Sequence, residues 1–330
     1  MSSLSAPAPA STVIARVENE LRDIWAAPAN AGEAPKARAC TMNLVVVAGE
    51  REIADRYTSV IDEVTRSIPA RAIIVALDPD AHGNALEADT TAVCAKGEGG
   101  VVCSERVRLV AIGGVCDRVG SAVDALCVPE IPTTVVWLGR VHVDDPVFLS
   151  VAENAQRIVL DTDFTSLTSL LHLARWTREA PGRPFLADMA WTRLSTWQEL
   201  CARFFDEPSL QGLASSVTRV TLKQASDSGT RLGSEGALLL GWLATRLGWK
   251  TSRLGGALRF KRPDGGSVAL SLGTVKRPAE VAPTALASVT IEAEGSGIVL
   301  KGSIQRELGS GLADAHGRFL SPQTQLFHSS

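Results

Sequence analysis

Arg140, His142 and Asp144 stand at alternate positions just after an apolar run that ends in Leu138-Gly139. A guanidinium, an imidazole and a carboxylate so spaced could hold an anion and move a proton. They are the one polar constellation in the chain that reads as a site. His142 falls in the loop after the central strand, at the C-terminal edge of the sheet, where open α/β sheets bind ligands. Trp137 before this loop and Trp191 further on are the aromatic candidates for a ligand or partner surface, although seven tryptophans are explained equally well by core packing. Cys94 and Cys103 flank Lys96-Gly97-Glu98-Gly99-Gly100. If that segment is a hairpin loop centred between Glu98 and Gly99, the two cysteines face each other. At a non-hydrogen-bonded pair their Cα atoms would lie about 4.5 Å apart, which permits a disulfide. Two neighbouring buried thiols are the favoured reading, because cytosolic disulfides are unusual, and a redox pair is the alternative.

The other reactive groups are dispersed. Cysteines at 40, 94, 103, 116, 127 and 201 form no C-x-x-C pair, and no histidine sits at zinc-ligand spacing from them. His172 is flanked by Leu171 and Leu173 within a helical pattern, so a satisfied, partly buried imidazole is expected. Gly113, Gly114 and Gly120 do not make G-x-G-x-x-G, and neither a phosphate-binding G-x-x-x-x-G-K-[ST], a G-x-S-x-G elbow nor an H-E-x-x-H occurs. The carboxylates Asp144-Asp145 and Asp161/Asp163 stand at helix starts, where capping accounts for them. The expectation is no catalytic residue, no cofactor and no metal.

The elements that would position the loop at 139–145 read clearly. Thr133–Leu138 is a β-branched and aromatic strand. Asp145-Pro146 supplies an N-cap carboxylate and a proline at the first helical position, and Phe148, Val151, Ala152 and Ala155 follow on one face. Arg157–Asp161 is a second strand, and Asp163 is expected to cap a helix whose apolar face is Leu167, Leu170, Leu171 and Ala174. Strand, helix, strand, helix at this spacing is a βαβ unit with parallel strands. Met42–Ala48, a helix carrying Ile53, Tyr57, Val60, Ile61 and Val64, and Arg71–Leu77 make a second such unit.

The whole chain has 330 residues, enough for about two domains. Residues 1–39 read as a disordered leader, an amphipathic helix on Ile14, Val17, Leu21, Ile24 and Trp25, and a linker. Residues 40–180 read as an α/β domain, mostly a parallel sheet with βαβ units plus an antiparallel hairpin. Ala180-Pro181-Gly182-Arg183-Pro184 is the expected boundary. Residues 181–312 read as an α+β domain with an antiparallel sheet: an aromatic-rich helical stretch at 187–205, an apolar helix at 234–249, then alternating runs at 252–261, 268–275, 287–294 and 298–304. Residues 313–330 read as a polar tail that Phe319, Leu320, Leu326 and Phe327 could anchor. Residues 1–180 carry net charge −8 and residues 181–330 net +5, an asymmetry that can steer a protein partner. No lysine/arginine stripe with interleaved aromatics points to nucleic acid. No apolar run reaches the roughly 18 residues of a membrane span, and no secretory pattern is seen, so the expected compartment is the cytoplasm.

Several separated segments agree, in order, with one family. Val128-Pro129, Ile131-Pro132, Val135-Val136-Trp137, Asp145-Pro146-Phe148 and Arg157 to Phe164 resemble the OpcA family, the glucose-6-phosphate dehydrogenase assembly proteins. Asp188 to Leu194 with Trp197 is similar to that family's Asp-x-x-Trp-x-Arg-Leu-x-x-Trp, and the strand pair near 42–48 and 69–77 and the helix at Gly241–Ala244 are similar too. The likeness covers most of residues 40–260. Two departures stand out: the family's central strand often ends Trp-Trp-Pro-Gly, where this chain has Trp137-Leu138-Gly139-Arg140, and the C-terminal cysteine pair that some relatives carry for redox control is missing here. The resemblance implies a protein that is not an enzyme, that binds glucose-6-phosphate dehydrogenase and that favours its active state as an assembly factor and allosteric activator in the oxidative pentose phosphate pathway. The alternative is a sugar-phosphate- or nucleotide-binding enzyme or sensor using the C-terminal edge of the sheet near Arg140 and His142.

Overall fold

A computed structural model describes residues 10–26, 36–97, 100–179, 181–227, 231–254, 257–278, 281, 284–307, 318–319 and 323–328. The expected leader at 1–9, most of the linker, the centre of the 96–100 loop and much of the tail, Leu320 included, lie outside the described residues. The chain divides into two compact units, Met1–Asp188 and Met189–Ser330.

In the first unit the elements are α1 (Ala10–Ala26), β1 (Lys36–Arg38), β2 (Met42–Ala48), α2 (Arg51–Ser67), β3 (Ala70–Asp78), β4 (Ala85–Gly97), β5 (Gly100–Ile112), α3 (Val119–Leu126), β6 (Thr133–Leu138), α4 (Pro146–Ala152), β7 (Arg157–Leu160), α5 (Leu167–Glu179) and β8 (Phe185–Asp188). Strands run β5-β3-β2-β6-β7-β8, all neighbours parallel. β4 folds back antiparallel on β5, while β1 continues the edge of β5 that β3 occupies. Numbered along the chain from β2, with β4 set aside, the six parallel strands take the 3-2-1-4-5-6 order of doubly wound dinucleotide-binding folds. Buried faces on both sides explain the near-continuous apolar strands. Val45, Val47, Ile73, Val75, Val107, Leu109, Val135 and Ile158 form one core with α1, α3, α4 and α5. Val46, Ile74 and Ala76 point the other way and are buried too. Gly120 lets α3 lie against α4, since a Cβ there would come within 2.4 Å of Ser150 Oγ.

Several expectations shift. Residues 36–38, read as linker, form β1. The first unit runs past the expected boundary, because Phe185–Asp188 pairs with β7. Ser166, not Asp163, opens α5: its Oγ accepts from Ser169 N at 3.0 Å. The helix packs with Ser169 and Leu173 buried and leaves Leu171 60% exposed. His172 is consequently exposed rather than partly buried. On α2, Ala54, Ile61 and Thr65 face inward and Val60 and Val64 outward.

The second unit holds α6 (Met189–Arg193), α7 (Ser195–Arg203), β9 (Val217–Ala225), α8 (Ser234–Arg246), β10 (Lys250–Leu254), β11 (Ala257–Lys261), β12 (Ser267–Val275), β13 (Leu286–Gly295), β14 (Ile298–Glu307), β15 (Arg318–Phe319) and β16 (Gln323–His328). Its sheet runs β10-β11-β12-β9-β13-β14, with β15 and β16 on β14. All pairings are antiparallel except β12 with β9. Alternation puts Val220, Leu222, Val289, Ile291, Leu300 and Ile304 on one face, packed by Leu194, Trp197, Leu200 and Phe204 and by Leu239, Leu240 and Leu243 of α8. At Gly302 a Cβ would sit 2.5 Å from the Phe204 ring, so glycine sets how closely that ring approaches the sheet. The run at 252–261 is two strands of a hairpin, and part of the tail is β16, held by its pairing with β14, with Leu326 and Phe327 half exposed.

Candidate functional site

The strand order reverses between β2 and β6, and chains leave these two strands in opposite directions. In doubly wound folds the crevice outside their C-terminal ends receives the ligand, with a phosphate on the free N-terminus of the first helix. Here the first turn is Gly49-Glu50-Arg51. Glu50 is the N-cap residue of α2 and is exposed; its carboxylate makes no capping bond, and Glu52 follows in the first turn. A carboxylate at that helix start disfavours a pyrophosphate there. Gly49 N also donates to Leu138 O at 3.2 Å, which extends the β2–β6 ladder into the crevice mouth.

The loop carrying the sequence candidates lies at this switch point and is held from three sides. Trp137 Nε1 donates to Arg140 O (3.1 Å), Val141 N donates to Thr165 Oγ1 (3.3 Å), and Asp145 Oδ1 accepts from Val147 N and Phe148 N (2.9 and 3.4 Å). Val141 is buried, and the flanking Arg140 and His142 are exposed, as is Asp144. Among the described residues no hydrogen bond or ion pair joins these three side chains to one another. The structure therefore places them on one exposed loop without assembling a catalytic array. Trp137 is not a surface residue: it is 3% exposed and meets Phe148 edge-on at 5.3 Å. Phe148 in turn meets Trp176 at 6.3 Å, and the Arg183 guanidinium lies 4.2 Å above the Trp176 ring. Trp137 reads as a surface candidate because it adjoins an exposed polar loop; its indole instead anchors that loop to the core.

Trp191 belongs to the second unit and is 45% exposed. The other motif residues around it have structural work. Asp188 accepts from Thr162 N at 3.2 Å and Thr162 Oγ1 at 3.1 Å. Arg193 Nε donates to the buried Glu235 at 3.0 Å, whose second oxygen accepts from Leu286 N at 2.8 Å. Leu194 and Trp197 are fully buried.

Cys94 and Cys103 stand directly opposite in the hairpin, Cα atoms 4.0 Å apart, and are joined by a disulfide. The favoured reading of two buried thiols is corrected: Cys103 is buried but Cys94 is exposed. Of the other thiols, burial pushes Cys127 up to about 11 and Cys201 to about 12, so both stay protonated at neutral pH. Among the described residues no group of three His, Cys, Asp or Glu could hold a metal, and no helix is long and apolar enough to cross a membrane.

Two features escaped sequence reasoning. One is a buried charge cluster. Glu105, 2% exposed, accepts from Arg71 Nε (2.7 Å), Arg38 Nε (2.8 Å) and Trp25 Nε1 (2.6 Å), and Arg71 also donates to Glu18 and to Leu126 O. Its sequence signal is weak: Arg71 stands at the start of the apolar run of β3, and Glu105 is one of three charges in β5. The other is a cleft of about 660 Å³ at the opposite, N-terminal ends of β2 and β6, lined by Asn43, Cys127, Pro129, Glu130 and Gln156. Its amides are already engaged: Asn43 holds Val128 N and O, and Gln156 Oε1 accepts from Thr133 N.

Both units match known families. Residues 61–175 match the model of the N-terminal domain of the glucose-6-phosphate dehydrogenase subunit family OpcA, and residues 184–307 match the model of its C-terminal domain. Together these span well over half of the chain, which belongs to the OpcA family. Proteins named "Putative OxPP cycle protein OpcA" are similar: that of Nostoc punctiforme is 28% identical over 57% of this chain and 40% of its own length, and that of Synechocystis sp. is 25% identical over 58% and 39%. The chain thus spans about two fifths of the length of these relatives. Among solved structures, an oxidoreductase from Sinorhizobium meliloti is 12% identical with a TM-score of 0.42, covering 88% of this chain and 78% of that one, a likeness too slight to argue from.

Proposed function

We propose that this chain is a non-catalytic assembly factor and allosteric activator of glucose-6-phosphate dehydrogenase, acting by protein–protein binding in the cytoplasm. Family membership across both units carries the reading. The switch point supports it: a strand order suited to dinucleotides carries an acidic Glu50 at the start of the first helix and no G-x-G-x-x-G loop. A protein that binds the active state of a partner more tightly shifts the population by that differential affinity. Mixing the purified chain with the cognate dehydrogenase should give a co-eluting complex and a lower apparent KM. Absence of both would end the proposal.

A second reading keeps one observation in its favour: Arg140 and His142 are exposed at the switch point. A sugar phosphate or nucleotide bound there should raise the melting temperature, and Arg140→Ala should abolish the rise.

A further inference from the structure

The second sheet has one packed face and one that the described helices leave open. Register assigns the open face without ambiguity, because Phe260, Val268, Val220, Leu222, Val289, Ile291, Leu300 and Ile304 point into the core. Their neighbours therefore point out. Across the middle runs a row of hydroxyls in register on four adjacent strands: Ser271, Thr221, Thr290 and Ser303. Thr290 Oγ1 and Ser303 Oγ share a hydrogen bond of 3.1 Å, and Arg219 Nη1 donates to Ser271 Oγ at 3.3 Å. Around this flat centre the same face presents Lys250, Arg259, Lys261, Arg219, Lys223 and Lys301, against Glu292, Glu294 and Glu307. Among the described residues, its end at Ala225 and Val275 is covered by Val281 and Ala285.

The geometry points to this face as a docking surface for an acidic, flat protein surface, which on the function proposed above belongs to the dehydrogenase. Three properties argue for it. Short hydroxyl side chains let an opposing surface approach to the roughly 10 Å of stacked sheets. Six strands at about 4.8 Å and some seven residues at about 3.3 Å give a face of roughly 650 Å², near the ~800 Å² that one side of an ordinary interface buries. The cations exceed the carboxylates two to one, so a second identical face would be repelled and a carboxylate-bearing one attracted.

The test uses the full chain and the cognate dehydrogenase, with affinity measured at low and physiological salt. Wild type should bind, more weakly as salt rises. R219E/K223E/K301E should bind at least tenfold more weakly, and Thr290→Arg, which plants a long side chain in the flat centre, should bind at least as poorly. Arg56→Glu on exposed α2 is the control and should bind as wild type. Melting temperatures equal to wild type would show that the variants are folded. Wild-type binding that survives both face variants would overturn the surface assignment and leave the proposed function standing. No binding by wild type would overturn that function, and the assignment with it. A wild-type self-association that Thr290→Arg dissolves would overturn the acidic partner in favour of a second copy.

Discussion

Among the described residues each unit carries an eight-stranded sheet, yet the two are built on opposite plans. The first is buried on both faces, and adjacent residues such as Ile73 and Ile74 are both wholly inaccessible. The second alternates: Ile291 is buried and Thr290 beside it stands on the open face. A sheet enclosed on both sides can expose function only at its ends and edges. A sheet covered on one side can offer a broad face. The contrast locates the two proposals, a switch point at the end of the first sheet and a docking face on the second.

The contrast can be broken most severely at Glu105. Glu105→Ala leaves Arg71 buried without its main partner and should cost about 3–5 kcal/mol in urea unfolding. A loss below about 1 kcal/mol would mean that water reaches the cluster. Next, Ile73→Ala and Ile74→Ala should each cost about 2–5 kcal/mol, because both sides of the first sheet are packed. In the second sheet Ile291→Ala should cost as much, whereas Thr290→Ala should stay within about 0.5 kcal/mol. An equal loss at Thr290 would show a covered face. Asp145→Ala removes the cap of α4 and should cost about 1 kcal/mol, read from the same unfolding curves. Smallest in energy is a chemical difference. In reduced protein at pH 8, Cys127, with its pKa raised to about 11, holds about a hundredfold less thiolate than a thiol of pKa 9.0. Iodoacetamide should therefore label the exposed Cys94 first, Cys127 only as pH rises toward 11, and Cys201 last.

What the sequence revealed follows the same division. Met42–Ala48 and Arg71–Leu77 are legible because doubly buried strands are continuous apolar runs. The Asp145-Pro146 cap and the Cys94–Cys103 register are legible because capping and hairpin loops obey local rules. Longer-range effects are not. β1 is only three residues, two of them charged, and its place depends on pairing with β5 and on Glu105, 67 residues from Arg38. The inward face of α5 is easily misjudged because Leu170, Leu171 and Leu173 are all apolar, so the local pattern fits more than one face and packing chooses Leu173. Trp137 looks like a surface residue because its loop is exposed; nothing local shows that Phe148 covers its ring. The open face of the second sheet can be suspected from alternation, but its row of hydroxyls needs the register of four strands.

The Glu105 cluster also governs how the protein can be shortened for experiment. Trp25, Glu18 and Arg38 reach Glu105 or Arg71 from a part of the chain that a designer would discard as linker and ornament. Cutting after residue 39 would strip three of those ligands from two ions in the interior and lay bare the surface that Val13, Val17 and Leu21 shield. A truncated version should start upstream of Ala10, or carry apolar replacements at both Arg71 and Glu105.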